Sequence, residues 1–124
     1  MNDASADKVS PFACDMSAIE PDRRGEHMAT IDELFRAVED IQELPNGYAF
    51  KLANEPDVFF RTAKFIALEG LCCPFFGFAL EVEPEGGAVW LSLTGRDGVK
   101  SFIVAEIGDH LTKSAIRPSS FNPQ

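Results

Sequence analysis

The hydrophobic pattern of the chain changes its period several times between residues 12 and 112. Pro21 is followed by apolar residues three or four positions apart, which predicts a first helix that ends near residue 37 or 38. A second helix opens at residues 54–56 and ends between Gly70 and Pro74. Because its apolar residues cover most of its circumference, we expect a buried central helix. The pattern from Val99 to residue 111 predicts a third helix.

Four shorter segments carry the alternation or the turn signals of strands. VEDIQEL and YAFKLA are separated by Pro45-Asn46-Gly47, and the strands of residues 76–83 and 88–93 are separated by Pro-Glu-Gly-Gly, so two hairpins are predicted. The order helix, hairpin, helix, hairpin, helix indicates an α+β fold with a four-stranded, mainly antiparallel sheet and helices packed on one face. LPNGYAFKLANEPDV and EGGAVWLSLTGRDGV read alike. A duplicated strand–strand–helix unit explains this likeness, and accidental similarity is the alternative.

Length and composition indicate one domain over residues 12–112, between a disordered tail at residues 1–11 and a flexible C-terminal tail at residues 113–124. The net charge of −9 argues against nucleic acid and against anionic membrane surfaces as partners. A signal-peptide pattern and an 18-residue apolar run are not found, so we predict a cytoplasmic protein. In that compartment three cysteines indicate free thiols, metal ligation or redox chemistry.

Cys72 and Cys73 are adjacent, in the last turn of the second predicted helix or just past it. Glu69 lies three residues before Cys72 and four before Cys73, so on a helix the carboxylate and both sulfur atoms would lie over one patch. Cys14 and His27 could reach this patch only if the first helix packs beside the second. These five residues are the candidate metal ligands, because thiolates select zinc, Cu(I), Hg(II) or As(III).

Other interpretations of the same residues stay open. Adjacent side chains diverge on a helix, so we expect one of Cys72 and Cys73 to point into the core, where free cysteine packs as a small hydrophobic residue. Redox sensing is a further alternative, although the negative potential at a helix C-terminus raises the pKa of a thiol there. His27 has acidic neighbours on its helix, so a solvated surface position is the alternative to a ligand role.

The aromatic residues raise the question of partners. Trp90 falls on the strand face opposite Val89 and Leu91, which indicates an uncovered sheet face and a homodimer through it. The 11 phenylalanines could instead line a pocket for a small hydrophobic ligand between sheet and helices, or fill the core. Two adjacent pairs, Phe59–Phe60 and Phe75–Phe76, cannot point the same way, so at least one member of each pair is expected outside the main core.

Four segments together resemble a group of small uncharacterised bacterial proteins. They are Cys14-Asp15, LPNGYAF at residues 44–50, E-x-x-C-C-P-F at residues 69–75 and GG-x-V-W-L-x-L-T-G at residues 86–95. The resemblance covers about residues 12–105. It implies a single bacterial cytosolic domain and brings no activity with it.

The sequence carries none of the common enzyme signatures, such as a nucleophile elbow, a phosphate loop or a dinucleotide fingerprint. We therefore predict a non-enzymatic binding or sensing protein whose adjacent cysteines form a thiol site for a soft metal ion, zinc or another thiophilic ion, or for redox sensing. The alternative is a small-molecule-binding or protein-interaction module with purely structural cysteines.

Overall fold

The computed structural model describes residues 10–122, so nearly all of the predicted N-terminal tail lies outside the described residues. Within this range the structure has three α-helices, four strands and three short 3-10 helices. The helices are α1 (Pro21–Arg36), α2 (Pro56–Cys72) and α3 (Val99–Ile107), and the strands are β1 (Asp40–Leu44), β2 (Gly47–Leu52), β3 (Gly77–Val82) and β4 (Val89–Thr94). The 3-10 helices are Met16–Ala18, Gly108–His110 and Ser119–Phe121.

Local chemistry explains where the two long helices begin. Pro21 and Pro56 occupy the first turns of α1 and α2, where the missing N–H costs nothing because it has no partner inside the helix. Asp22 and Asp57 add a negative charge near the positive end of each helix dipole. The starts of α1 and α2 were therefore readable from the sequence.

The strands form one antiparallel sheet in the order β1-β2-β4-β3. Each hairpin pairs within itself, and the hairpins join through β2 and β4, where Phe50 lies opposite Leu91. The predicted α+β class and the four-stranded antiparallel sheet are confirmed. The duplicated strand–strand–helix unit stays a prediction.

The core lies between one face of the sheet and the helices. Phe50, Leu91 and Leu93 on this face have no exposed surface. The Phe35 ring of α1 meets Phe50 edge-on with ring centroids 5.2 Å apart, and it meets Phe65 of α2 at 5.3 Å. Both long helices therefore reach the same apolar layer, and edge-to-face ring contacts of this kind add to the area they bury.

The other sheet face carries Trp90, which is half-buried beside polar side chains such as Gln42, Glu81 and Ser92. The outward position of Trp90 follows the predicted alternation, because Val89 and Leu91 are buried on the opposite face. A homodimer through this face stays a prediction.

Gly47 begins β2 at a point where two backbones approach closely. A Cβ atom built on Gly47 would lie 1.9 Å from the carbonyl oxygen of Leu93 in β4. Any other residue at this position would therefore push β2 away from β4. Gly47 does not have a positive φ, so a left-handed backbone is not the reason for glycine in the predicted Asn-Gly turn. The close contact with Leu93 is the reason.

The segment after α3 packs against the domain, although its composition predicts a flexible tail from residue 113. The Ile41 N–H donates to the carbonyl of Ile116 at 2.9 Å, beside a parallel bridge between Asp40 and Ile116. Phe121 is fully buried and meets the Tyr48 ring edge-on with centroids 4.8 Å apart. The folded unit therefore extends past the predicted boundary at residue 112, because Phe121 and the Ile116 carbonyl contact the sheet and composition alone does not show these contacts.

Candidate metal centre

The first part of the site is the short segment that carries Cys14. The Asp15 side chain accepts a hydrogen bond from the Ser17 N–H at 3.1 Å and so caps the 3-10 helix Met16–Ala18. The Asp15 N–H donates to the carbonyl of Cys72 at 2.8 Å. That carbonyl belongs to the last turn of α2, where carbonyl groups lack partners inside the helix. This bond holds the Cys14 segment against the end of α2.

Cys72 and Cys73 both lie in the hydrophobic core, as expected for one of them, yet their side chains do not diverge and both sulfur atoms belong to the site. Cys73 is the first residue past α2 and has φ −129° and ψ 70°, far from helical values. Pro74 explains this, because a proline disfavours helical geometry in the residue before it. The turn directs the Cys73 side chain toward that of Cys72, and their Sγ atoms lie 3.8 Å apart. Both residues are buried, at 1% and 0% exposure.

Glu69 completes the group of donor atoms. Its residue is 4% exposed, and its Oε1 lies 3.6 Å from the Cys72 Sγ atom. The Sγ atoms of Cys14, Cys72 and Cys73 and a carboxylate oxygen of Glu69 all lie within 4.8 Å of one another. We call these four residues the thiol cluster. Their convergence means that they could hold a metal ion.

His27 contacts the thiol cluster through Glu69. It is fully buried on α1, its Nε2 lies 2.8 Å from Glu69 Oε1, and its ring is stacked on Phe65 with centroids 6.1 Å apart. The alternative of a solvated surface histidine is wrong, because α1 packs on α2 and covers the ring. A buried carboxylate is costly unless it is paired, so His27 offsets the burial of Glu69.

The thiols perturb one another electrostatically. Hydrogen bonds from the Cys72 and Cys73 thiols lower the pKa of Cys14 well below its ordinary value. The same contacts with Cys14 raise the pKa of both buried thiols, and the charge of Glu69 raises them further. Cys14 is therefore the thiol of the cluster that ionises first. An ion that binds all three sulfur atoms must displace protons from Cys72 and Cys73.

A cleft of about 190 Å³ opens beside the thiol cluster. Cys14, Glu69 and Cys72 form part of its lining. The remaining lining is mainly apolar and comes from α1, α3 and the two 3-10 helices beside the site, through Met16, Met28, Ile31, Glu106, Ile107 and His110. Burial, together with the charges of Cys14 and Glu69, raises the pKa of Glu106. This cleft was not predicted from the sequence, because its lining comes from separate parts of the chain.

The aromatic pairs lie partly outside the core, as their adjacency predicts. Phe60 is 69% exposed and Phe59 is 37% exposed, whereas Phe76 is buried. Phe75 is half-buried, and its ring packs edge-on against Phe12 with centroids 5.1 Å apart. These rings lie away from the lining of the cleft beside the thiol cluster.

No protein-family model, no curated protein and no solved structure matches the chain. Among residues 10–122, no helix is both long enough and apolar enough to cross a membrane.

Proposed function

We propose that this protein binds a thiophilic metal or metalloid ion through the sulfur atoms of Cys14, Cys72 and Cys73. The observation that carries the proposal is the convergence of these atoms and a Glu69 oxygen within 4.8 Å of one another. Thiolates favour soft or borderline ions over magnesium or calcium, which prefer oxygen ligands. Cys14 is exposed, which gives an ion a route to the cluster.

The spacing of the two adjacent sulfur atoms supports binding to a common ion. Two sulfur atoms bound to a tetrahedral zinc ion at ~2.3 Å lie about 3.8 Å apart. The Sγ atoms of Cys72 and Cys73 are already 3.8 Å apart. An ion can therefore bind both without separating them, and Cys14 supplies the third sulfur atom.

Charge favours trivalent arsenic among the candidate ions. Cys72 and Cys73 are buried, and a buried complex with uncancelled charge is costly. Three thiolates cancel the charge of As(III), whereas they leave one negative charge with zinc or Hg(II) and two with Cu(I). The Glu69 carboxylate is the same in every case and does not distinguish the ions. In the reaction, arsenous acid loses its three hydroxyl groups as water while three As–S bonds form. Two of the protons come from Cys72 and Cys73, and the third comes from solvent.

The proximity of the three sulfur atoms, together with the lowered pKa of Cys14, favours redox sensing as a second candidate function. A hydroperoxide would transfer one oxygen atom to the Cys14 thiolate, and one proton from solvent completes the products, a sulfenic acid and an alcohol. The Cys72 thiol would then displace water from that sulfenic acid and form a disulfide. This sequence consumes two thiols and leaves Cys73 reduced.

Native mass spectrometry and thiol titration of the reduced protein test both functions. With arsenite we expect a one-to-one complex in which all three thiols are protected, and with hydroperoxide and no metal a loss of two thiols marks the redox function. Cys14→Ser should weaken the arsenite complex strongly. Ala13→Ser is the matched control, because it places the same side chain at the adjacent exposed position. Equal uptake of arsenite, Hg(II) and zinc by Cys14→Ser and Ala13→Ser would refute the proposal.

A further inference from the structure

The cleft beside the thiol cluster is larger than a bare ion needs. Its volume of about 190 Å³ exceeds the ~150 Å³ of an apolar cavity that is known to bind benzene. Met16, Met28, Ile31 and Ile107 give it an apolar lining next to the Cys14 and Cys72 sulfur atoms. The site therefore offers a place for a hydrocarbon group directly beside the atoms that would hold an ion.

We infer that the thiol cluster binds an organic derivative of trivalent arsenic, RAs(OH)2, with arsenic on Cys14 and Cys72 and the hydrocarbon group R in the cleft. This inference rests on the proposed function and names its ligand class. The Sγ atoms of both cysteines belong to the thiol cluster, and both residues line the cleft, whereas Cys73 is not among its lining residues.

The reaction balances without an oxidant or a reductant. Two As–O bonds break and two As–S bonds form, and the two hydroxyl groups leave as water. The Cys72 thiol supplies one proton and solvent supplies the other where Cys14 is a thiolate. The product has no net charge, which suits a site in which the Cys72 residue is 1% exposed.

Charge around the cleft restricts the organic group. Glu69 and Glu106 both line it, and the protein has a net charge of −9. A carboxylate or a phosphate on R would be repelled by these groups. An uncharged alkyl or aryl group matches the apolar lining and is not repelled by the acidic residues.

Methylarsonous acid and phenylarsonous acid are suitable probes, because each takes two thiolates and they differ only in R. Burying half of a phenyl ring, on the order of 80 Å², corresponds to about 30-fold tighter binding. We expect the ratio of methyl to phenyl dissociation constants to exceed the same ratio for dithiothreitol by about that factor. Competition between the protein and dithiothreitol for each probe, followed by native mass spectrometry, measures the quotient of the two ratios directly.

Variants locate the organic group. Ile31→Trp should fill the cleft and reduce the ratio to that of dithiothreitol, whereas Ala29→Trp, on an exposed position of the same helix, should leave the preference intact. Met28→Trp, at a residue that is 47% exposed, serves if Ile31→Trp does not fold. Cys73→Ala should weaken arsenite binding more than phenylarsonous acid binding, because only arsenite needs a third sulfur atom.

The outcomes separate this inference from the proposed function. If arsenite binds through Cys14 but the protein shows the same methyl-to-phenyl ratio as dithiothreitol, the organic ligand is refuted and the ion site stands. If Cys14→Ser changes the binding of neither arsenite nor the two organic probes, the proposed function and this inference are both refuted. A phenyl preference that survives both Ile31→Trp and Met28→Trp would also refute the cleft as the position of R.

Discussion

Replacement of His27 by phenylalanine tests the pairing that holds Glu69 in the interior. His27 Nε2 and Glu69 Oε1 are 2.8 Å apart, and the two side chains are 0% and 6% exposed. Phenylalanine keeps an aromatic ring on Phe65 and, being somewhat larger than histidine, leaves no cavity when it removes the hydrogen bond. Breaking a buried pair by removing one partner costs about 3–5 kcal/mol. We expect the lower end, about 3 kcal/mol, because the ring packing is retained.

Urea denaturation of the reduced protein in a metal chelator measures this cost. With a urea dependence of about 2 kcal/mol per molar, the midpoint should fall by about 1.5 M. Glu69→Gln in the His27→Phe background should recover about 2 kcal/mol, because a neutral amide is cheaper to bury than an unpaired carboxylate. The cycle thus separates the charge from the packing.

His110→Phe is the matched control. His110 contacts Asp32 at 3.3 Å, and these side chains are 25% and 40% exposed, so their pairing should contribute less than about 1 kcal/mol. A His27→Phe variant as stable as His110→Phe would refute the pairing. The pairing would also be refuted if the double variant of His27→Phe and Glu69→Gln lost as much free energy of unfolding as the two single variants together, because independent effects add.

Two further predictions concern the thiol cluster and the C-terminal segment. Because its pKa is lowered, Cys14 should react with iodoacetamide at a nearly constant rate from about pH 8 to pH 6, whereas an ordinary thiol slows about tenfold per pH unit. A tenfold loss of rate per pH unit, measured by mass spectrometry, would contradict the lowered pKa of Cys14. Phe121→Ala should cost about 3–5 kcal/mol by calorimetry, and Phe60→Ala, at a 69% exposed position, should cost about 0.5 kcal/mol or less; similar melting temperatures would show that Phe121 is dispensable.

The regular elements could be predicted because their signals are local. Proline in the first helical turn, three-to-four residue spacing and strict alternation depend on neighbouring residues alone, and they located both long helices and the face of Trp90. The C-terminal segment was missed because its contacts are distant in sequence. Phe121 packs on Tyr48, and composition around residue 121 does not show that contact.

The site was only partly predictable for the same reason. The sequence brought Glu69, Cys72 and Cys73 together through helical spacing, but the position of Cys14 depends on a backbone hydrogen bond from Asp15 to Cys72. Pro74 is a local signal for the non-helical backbone of Cys73, and with it for the direction of the Cys73 side chain. The cleft needed the packing of α1 and α3 around the end of α2, which no single segment encodes.

The pairing of Ile116 with β1 makes the two borders of the sheet unequal. The edge strand β1 is covered in part by the C-terminal segment, because the Ile41 N–H donates to the Ile116 carbonyl. Within residues 10–122 the other edge strand, β3, has β4 as its sole strand neighbour. An unshielded border invites intermolecular strand addition and fibril growth. Glu81 in β3 and Glu83 just after it would repel an identical border from a second molecule. Replacing both glutamates by neutral residues should therefore lower the colloidal stability of the protein before it lowers the stability of the fold.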